Sequence, residues 1–256
     1  MTKPSLSIVL PTYNEKDNIK ILIPQIEETF KHINHEIIVV DDSSPDGTAR
    51  VSEELNKKYG NIRVIVRKKK EGIGAAIREG YNNANNSIIL SSDSDLSFTL
   101  SDMYRLYEKI QEGYDLVLGN RHSKDSFYES TTLKVKIKRW ISKNGNRIIQ
   151  LITDIKINDF SANFRAIRRD VWKQINTKEK TNTLLLEMIL KCKYGGLRVT
   201  EIPVTFKDRI HGESKLNLGV EAPKFLIKMI KYVLMHRFTG YKLTINNGRQ
   251  GPFLFS

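Results

Sequence analysis

A mostly parallel α/β fold is predicted for this chain by three observations. Short β-branched runs alternate with helix-length segments from the first residues onward. The runs are continuously apolar, the pattern of strands buried on both faces. Acidic or basic residues follow each run, where an open α/β sheet presents its ligand crevice.

Taken in order, LSIVL (6–10) reads as the first strand, followed by a helical stretch from about Asp17 to Lys31 and a second strand, EIIVV (36–40). A helix opening at Ser44-Pro45 comes next, with the proline at a first helical position, where its missing N–H costs nothing. IRVIV (62–66), a helix from Gly74 to Ala84, SIILS (87–91), a helix from Thr99 to Gln111 and DLVLG (115–119) continue the alternation. Thr99 with Asp102 makes a capping start. Gly72, Gly74 and Gly80 in EGIGAAIREG lack the G-x-G-x-x-G spacing of a dinucleotide site and read as a tight strand-to-helix turn. Beyond residue 130 come a basic helical segment, DFSANFRAIRRDV (159–171), a helix over 182–193 and RVTEIPVTF (198–206). With no internal repeat or low-complexity linker, residues 1–218 read as one domain and 219–256 as a basic amphipathic helix and tail.

The chain has 42 Lys and Arg against 29 Asp and Glu, a net charge of +13, so long-range attraction favours an anionic partner. The excess is uneven: residues 131–150 contain six basic side chains and no acidic one. A lone cysteine, Cys192, excludes an intrachain disulfide and fits a reducing, cytoplasmic compartment. The apolar part of MTKPSLSIVLPTYNE is too short for a secretory signal, and no stretch approaches the roughly 18–20 apolar residues of a membrane span.

Asp93 and Asp95 follow the apolar run at 88–91. In an extended strand residues i and i+2 face the same side, so both carboxylates would share one small volume. Two such charges about 4 Å apart repel by roughly 4 kcal/mol at an effective dielectric of 20. A divalent cation relieves that repulsion, and carboxylate oxygens suit Mg²⁺ or Mn²⁺ shared with substrate phosphates. A solvated turn is the alternative reading of a lone D-x-D. Two further acidic strand ends, at Glu15 and at Asp41-Asp42, favour the functional one, while the run Arg67 to Lys70 reads as a solvated loop.

SIVLPTYNE (7–15), EIIVVDDSSPDGT (36–48), DSDLS (93–97), GNR (119–121) and VTFKDRIHGESKL (204–216) resemble, in order, the motifs of family 2 glycosyltransferases of GT-A fold, and specifically the polyprenyl-phosphate sugar synthases, which include the dolichyl-phosphate mannose synthases. The resemblance runs from about residue 5 to 218. It implies that Pro11, Tyr13, Glu15, Val40 and Asp42 line a nucleotide pocket and that Asp93, Ser94 and Asp95 bind a sugar nucleotide and its metal, Asp95 most directly. It further implies that Arg121, Arg209 and Lys215 bind diphosphate or lipid phosphate, joined on the acceptor side by Lys138, where the family often has arginine. Ser97 stands where many relatives have glutamine, Phe98-Thr99-Leu100 replaces a more polar, proline-containing stretch, and DFSANFR departs from the usual Ser-Gly before Phe-Arg.

The implied reaction is inverting transfer of a sugar, mannose from GDP-mannose in the branch most resembled, to a polyprenyl (dolichyl) phosphate. A UDP sugar or a sugar-hydroxyl acceptor is the alternative. A phosphate monoester is largely ionised at neutral pH, so it needs no general base, in keeping with five histidines scattered at 32, 35, 122, 211 and 236. The resemblance also implies a membrane surface as partner, peripheral attachment on its cytosolic face, and room for a separate membrane-anchoring subunit. The 220–238 segment sets Lys224, Lys228 and Lys231 on one helical face opposite Phe225, Leu226, Met229, Ile230, Val233 and Leu234, a pattern that fits a bilayer interface or the protein core equally. Acidic strand ends at the ligand crevice would repel a phosphate backbone, which argues against nucleic acid as the partner.

Overall fold

A computed structural model describes residues 3–128, 133–207 and 218–239, without the side chains of 133–135, 138, 218–224 and 236–239. Seven strands form one sheet: β1 (Leu6–Thr12), β2 (His35–Asp41), β3 (Ile62–Val66), β4 (Ile88–Ser91), β5 (Leu116–Asn120), β6 (Arg165–Arg168) and β7 (Val199–Pro203). Between and after them lie α1 (Lys16–Phe30), α2 (Thr48–Tyr59), α3 (Ile73–Asn83), α4 (Leu100–Gln111), α5 (Leu133–Thr153), α6 (Arg169–Ile175), α7 (Thr183–Tyr194) and α8 (Leu218–Thr239).

The strand order is β3-β2-β1-β4-β6-β5-β7. Every pairing is parallel except those of β6, which runs antiparallel between β4 and β5. The chain winds outward from β1 to β3 and then returns to the other side of β1 as β4. That makes the carboxyl ends of β1 and β4 the topological switch point, where open α/β sheets bind ligands.

Successive strand residues feed two cores, as the period of two requires. Leu6, Ile8 and Leu10 of β1 pack with α1, α2 and α4. Val9, with Ile38 and Val40 of β2, packs with α3, α6, α7 and one stripe of α8. Strands β1, β4 and β5 are buried throughout, which explains their unbroken apolar runs. Thr99 caps α4 by accepting from the Asp102 N–H at 3.1 Å, as its spacing predicts.

Three local expectations are corrected. Helix α2 starts at Thr48, not at Ser44-Pro45, because Asp41 takes the Ser44 N–H at 2.8 Å and Asp46 takes that of Thr48 at 2.9 Å, holding 42–47 as a loop. Strand β4 ends at Ser91, so Asp93 and Asp95 lie in a bend that includes Leu96 at φ +61°, and the same-face rule for strands does not govern them. The apolar face expected on α8 is divided: Met229 and Val233 enter the core, while Leu226, Ile230 and Leu234 point outward.

The glycines at the start of α3 do different work. Gly72 has φ +105°, a conformation that side chains rarely adopt. Gly74 has no room for one, since a Cβ there would lie 2.1 Å from the Thr181 carbonyl oxygen. Close packing of α3 on the 176–182 segment, which the spacing of the glycines does not reveal, requires the second glycine.

Candidate active site

Five loops meet at the carboxyl ends of the strands. Those after β1, β2 and β4 each hold a non-glycine residue at positive φ: Asn14 (58°), Ser43 (55°) and Leu96 (61°). Backbone in this region costs on the order of 1–3 kcal/mol per residue and persists where its surroundings over-determine it. The surroundings here are specific. Asn14 N–H donates to Ser44 Oγ at 2.9 Å, Glu15 N–H to Thr48 Oγ1 at 3.0 Å, and Ser94 Oγ–H to the Pro11 carbonyl at 3.1 Å. The three loops therefore brace one another around the switch point.

Asp42, expected in the nucleotide pocket, is buried and ion-paired with Arg67 at 2.5 Å. Burial pushes its carboxyl above the usual range, with Arg67 and Lys70 opposing. Arg67 also reaches Glu71 at 3.1 Å, and Lys70 Nζ sits 3.8 Å from the centroid of the Tyr13 ring. The basic run read as a solvated loop thus has two members packed against the expected nucleotide-binding residues. Pro11 is buried in β1, and Glu15 accepts from Asn18 at 2.6 Å. Val40 is wholly buried within β2, paired with β1 and β3, and its side chain belongs to the core.

Beyond β4, Asp95 is almost fully buried and accepts from the Ser97 N–H at 3.1 Å. Asp93 is less buried and accepts from Asn163 at 3.2 Å. Ser94 is buried with its hydroxyl on Pro11, a bond that joins the β1 and β4 loops.

Arg121 follows β5 and makes a two-pronged ion pair with the fully buried Asp159, Nε to Oδ2 at 2.7 Å and Nη2 to Oδ1 at 3.0 Å. Burial alone would raise the Asp159 pKa, yet the charge and hydrogen bonds of Arg121 outweigh it and hold the carboxyl far below the usual range. Burial likewise would lower that of Arg121, which Asp159 instead raises. Glu201 accepts from the backbone N–H groups of Asn158 and Asp159 at 2.9 Å and so shapes the turn that presents Asp159. Arg165 is fully buried and bonds the carbonyls of Ala162 and Leu185. Burial pushes its guanidinium down to about 10, and it remains charged at neutral pH, within electrostatic reach of Asp159 and Asp93.

Reasoning from the residues does not single out Asp159, Asn163 or Arg165, and it reads Arg67 and Lys70 as solvated. Position carries a signal for Arg67, which follows β3 as directly as Asp42 follows β2. Arg209 and Lys215 lie outside the described residues, and Lys138 falls in α5 with its side chain outside them.

Helix α5 is tied to this site by Asn146, which accepts from the Phe160 N–H at 3.1 Å, and by Ser142, 3.1 Å from His122. Its outer face exposes Ile137, Trp140, Ile141, Ile148 and Leu151, and neighbouring α8 exposes Leu226, Ile227, Ile230, Leu234 and Met235. Among the described residues no helix is long and apolar enough to cross a membrane, and no group of three or more His, Cys, Asp or Glu is placed to hold a metal.

A mostly parallel sheet with one reversed strand, and a carboxylate-rich loop cluster at its switch point, is the arrangement of a GT-A fold. The chain belongs to glycosyl transferase family 2, whose sequence model matches residues 7–175. It is 34% identical over 215 residues to a dolichol-phosphate mannosyltransferase of Pyrococcus furiosus, a match covering 82% of this chain and 59% of that protein. It is 28% identical over 217 residues to polyprenol monophosphomannose synthase of Mycolicibacterium smegmatis, covering 82% and 80%. In fold it is similar to glucosyl-3-phosphoglycerate synthase of Mycobacterium tuberculosis, solved with Mn²⁺, UDP and phosphoglyceric acid, at a TM-score of 0.65, 18% identity and coverage of 90% and 78%.

Proposed function

We propose that this protein transfers a sugar, mannose from GDP-mannose, to a polyprenyl phosphate at the cytosolic face of a membrane. The two relatives named for such transfers support the reading. The observation that carries it is the pair of neighbouring helices α5 and α8, which among the described residues expose ten large apolar side chains on a strongly basic chain, with α5 hydrogen-bonded to the segment beside Asp159. A water-soluble acceptor gives no reason for such a surface, whereas a lipid-linked phosphate at a bilayer does. Residues 219–256 then serve as an interface segment, attached peripherally alone or with an anchoring subunit.

A phosphate oxygen of the acceptor attacks the anomeric carbon, the bond from that carbon to the donor diphosphate breaks, and the nucleoside diphosphate leaves with the electron pair. One displacement inverts the configuration. The nucleophile is already ionised, so the protein's work is to position and to balance charge. Asp93 and Asp95, two residues apart in the bend after β4, would hold Mg²⁺ or Mn²⁺ together with substrate phosphates. Bound there, the ion supplies Lewis-acid stabilisation of the leaving diphosphate. Tyr13, Glu15 and Asp42, with Pro11 and Val40 at the strand ends beneath them, line the nucleotide pocket, and Ser94 keeps the D-x-D loop against β1. Arg121 steadies diphosphate charge from its seat on Asp159, while Lys138, Arg209 and Lys215 take the acceptor phosphate.

The test is release of nucleoside diphosphate from a panel of nucleotide sugars, with polyprenyl phosphate in anionic liposomes or a simple sugar as acceptor. GDP-mannose with the lipid phosphate should give the highest rate. Preference for a UDP sugar overturns the donor, and efficient glycosylation of the simple sugar overturns the acceptor.

A further inference from the structure

Asn163 lies in the segment DFSANFR, where the chain departs from the pattern it resembles. The antiparallel ladder of β4 and β6 pairs Ser91 with Arg165. Two residues beyond that last pair on each segment, the side chains of Asp93 and Asn163 meet: Asn163 Nδ2 donates to Asp93 Oδ1 at 3.2 Å. Behind it, Ser91 Oγ–H donates to Asn163 Oδ1 at 2.8 Å, and the Tyr81 hydroxyl lies 2.7 Å from Ser91 Oγ.

These bonds have one consistent direction. Serine has a single proton, which goes to Asn163, so Tyr81 must donate to Ser91. Turning the Asn163 amide over would set its oxygen against the Asp93 carboxylate. Every donor therefore points toward Asp93, an arrangement in which each bond strengthens the next. Tyr81, Ser91 and Asn163 are all at least 97% buried, and Tyr81 is held edge-on against Trp172 at 4.8 Å between ring centroids. Burial pushes the tyrosine hydroxyl up to about 12, so it keeps its proton throughout the working range. The carboxylate at the end of the chain also feels the positive charges of Arg121 and Arg165.

We propose that Asn163 is a positioning residue for the divalent cation and diphosphate, orienting the Asp93 carboxylate through a buried relay that begins at Tyr81 and passes through Ser91. The inference rests on the reading that Asp93 helps hold that ion. An interior chain of three polar side chains is costly to maintain unless every member is satisfied, and here all of them converge on one ligand. Groups that orient a metal ligand in this way typically contribute 10–100-fold in metal affinity.

Mn²⁺ titration in the presence of GDP, read by the loss of the free-ion electron paramagnetic resonance signal, tests the relay without turnover. Asn163→Ala should weaken Mn²⁺ binding about 10–100-fold. Tyr81→Phe, which keeps the ring and removes only the first donor, should weaken it less and in the same direction. In transfer assays both variants should need more Mn²⁺ for half-maximal rate and regain most of the wild-type kcat when it saturates. If Asn163→Ala and Tyr81→Phe titrate like the wild type while Asp93→Ala loses the ion, the relay is overturned and the metal reading stands. If Asp93→Ala itself titrates like the wild type, the metal reading falls and takes the relay with it.

Discussion

Replacing Asp159 by asparagine isolates the buried, two-pronged charge pair of Arg121 and Asp159. Asp159 is fully buried and accepts from Arg121 Nε and Nη2, from the backbone N–H groups of Arg121, Ser161 and Ala162, and from the Ser161 hydroxyl, at 2.7–3.3 Å. Asparagine keeps one oxygen and turns an NH₂ toward donors, leaving the Arg121 guanidinium, itself largely buried, without its counter-charge. Removing one partner of a buried pair costs about 3–5 kcal/mol. For a chain of this size each kcal/mol lowers Tm by about 2–4 °C, so Asp159→Asn should lower it by about 6–20 °C. Adding Arg121→Met removes the stranded charge, and the double variant should be more stable than Asp159→Asn alone. The deficit should also persist as pH falls from 8 toward 4. A carboxyl whose folded pKa is depressed contributes above its unfolded value near 3.8, and that contribution is lost only as pH falls through the much lower folded value. Thermal denaturation followed by circular dichroism across pH 4–8 reads both effects. A loss under about 1 kcal/mol, or a double variant as unstable as the two single losses summed, would refute the argument.

Glu179 accepts from Lys228 at 2.7 Å and from Tyr232 at 3.1 Å, fastening α8 to the segment before α7. Burial would raise its pKa, but these bonds and one from Thr183 outweigh it, so its contribution is present above pH 4.5 and fades as pH falls through the lower folded value. Hydrogen exchange in α8, corrected for intrinsic rates, should accelerate below that point, while Glu179→Gln exchanges fast at both pH values; equal protection of α8 in the two proteins at pH 7 counts against the tether. Gly74→Ala should destabilise the protein by about 1–3 kcal/mol, because the new methyl meets the Thr181 backbone rather than a movable side chain; urea denaturation with an unchanged midpoint would contradict that. Of the two tryptophans, Trp140 is exposed on α5 and Trp172 is buried. Anionic vesicles should therefore shift wild-type emission to the blue but leave Trp140→Phe unmoved, and vesicle-bound protein with unshifted emission would show that α5 faces away from the lipid.

The strands were legible because burial on both faces writes itself as unbroken apolar runs, and Asp42, Asp93 and Arg121 lie just past the carboxyl ends of β2, β4 and β5, as the ends of those runs predict. What neutralises those charges was not legible. Arg67 lies 25 residues from Asp42, and Asp159 lies 38 from Arg121. No local period encodes such pairings; they exist only once strand order and register are fixed. The reversed strand β6 is the clearest instance. Its residues RAIR are too short and too mixed to announce a direction, yet its antiparallel pairing of Arg165 with Ser91 is what brings the preceding segment, with Asn163, within hydrogen-bond reach of Asp93. Helix α8 failed in a related way: its repeat shows an apolar surface but not that the core takes Met229 and Val233 and leaves Leu226, Ile230 and Leu234 outside. A helix that contributed only to the core would gain by placing polar side chains at those outer positions. Retaining apolar ones there, on a helix that neighbours α5 and its own exposed apolar residues, is a cost that folding alone does not explain. It becomes intelligible when the same surface must meet a lipid bearing the phosphate to be glycosylated.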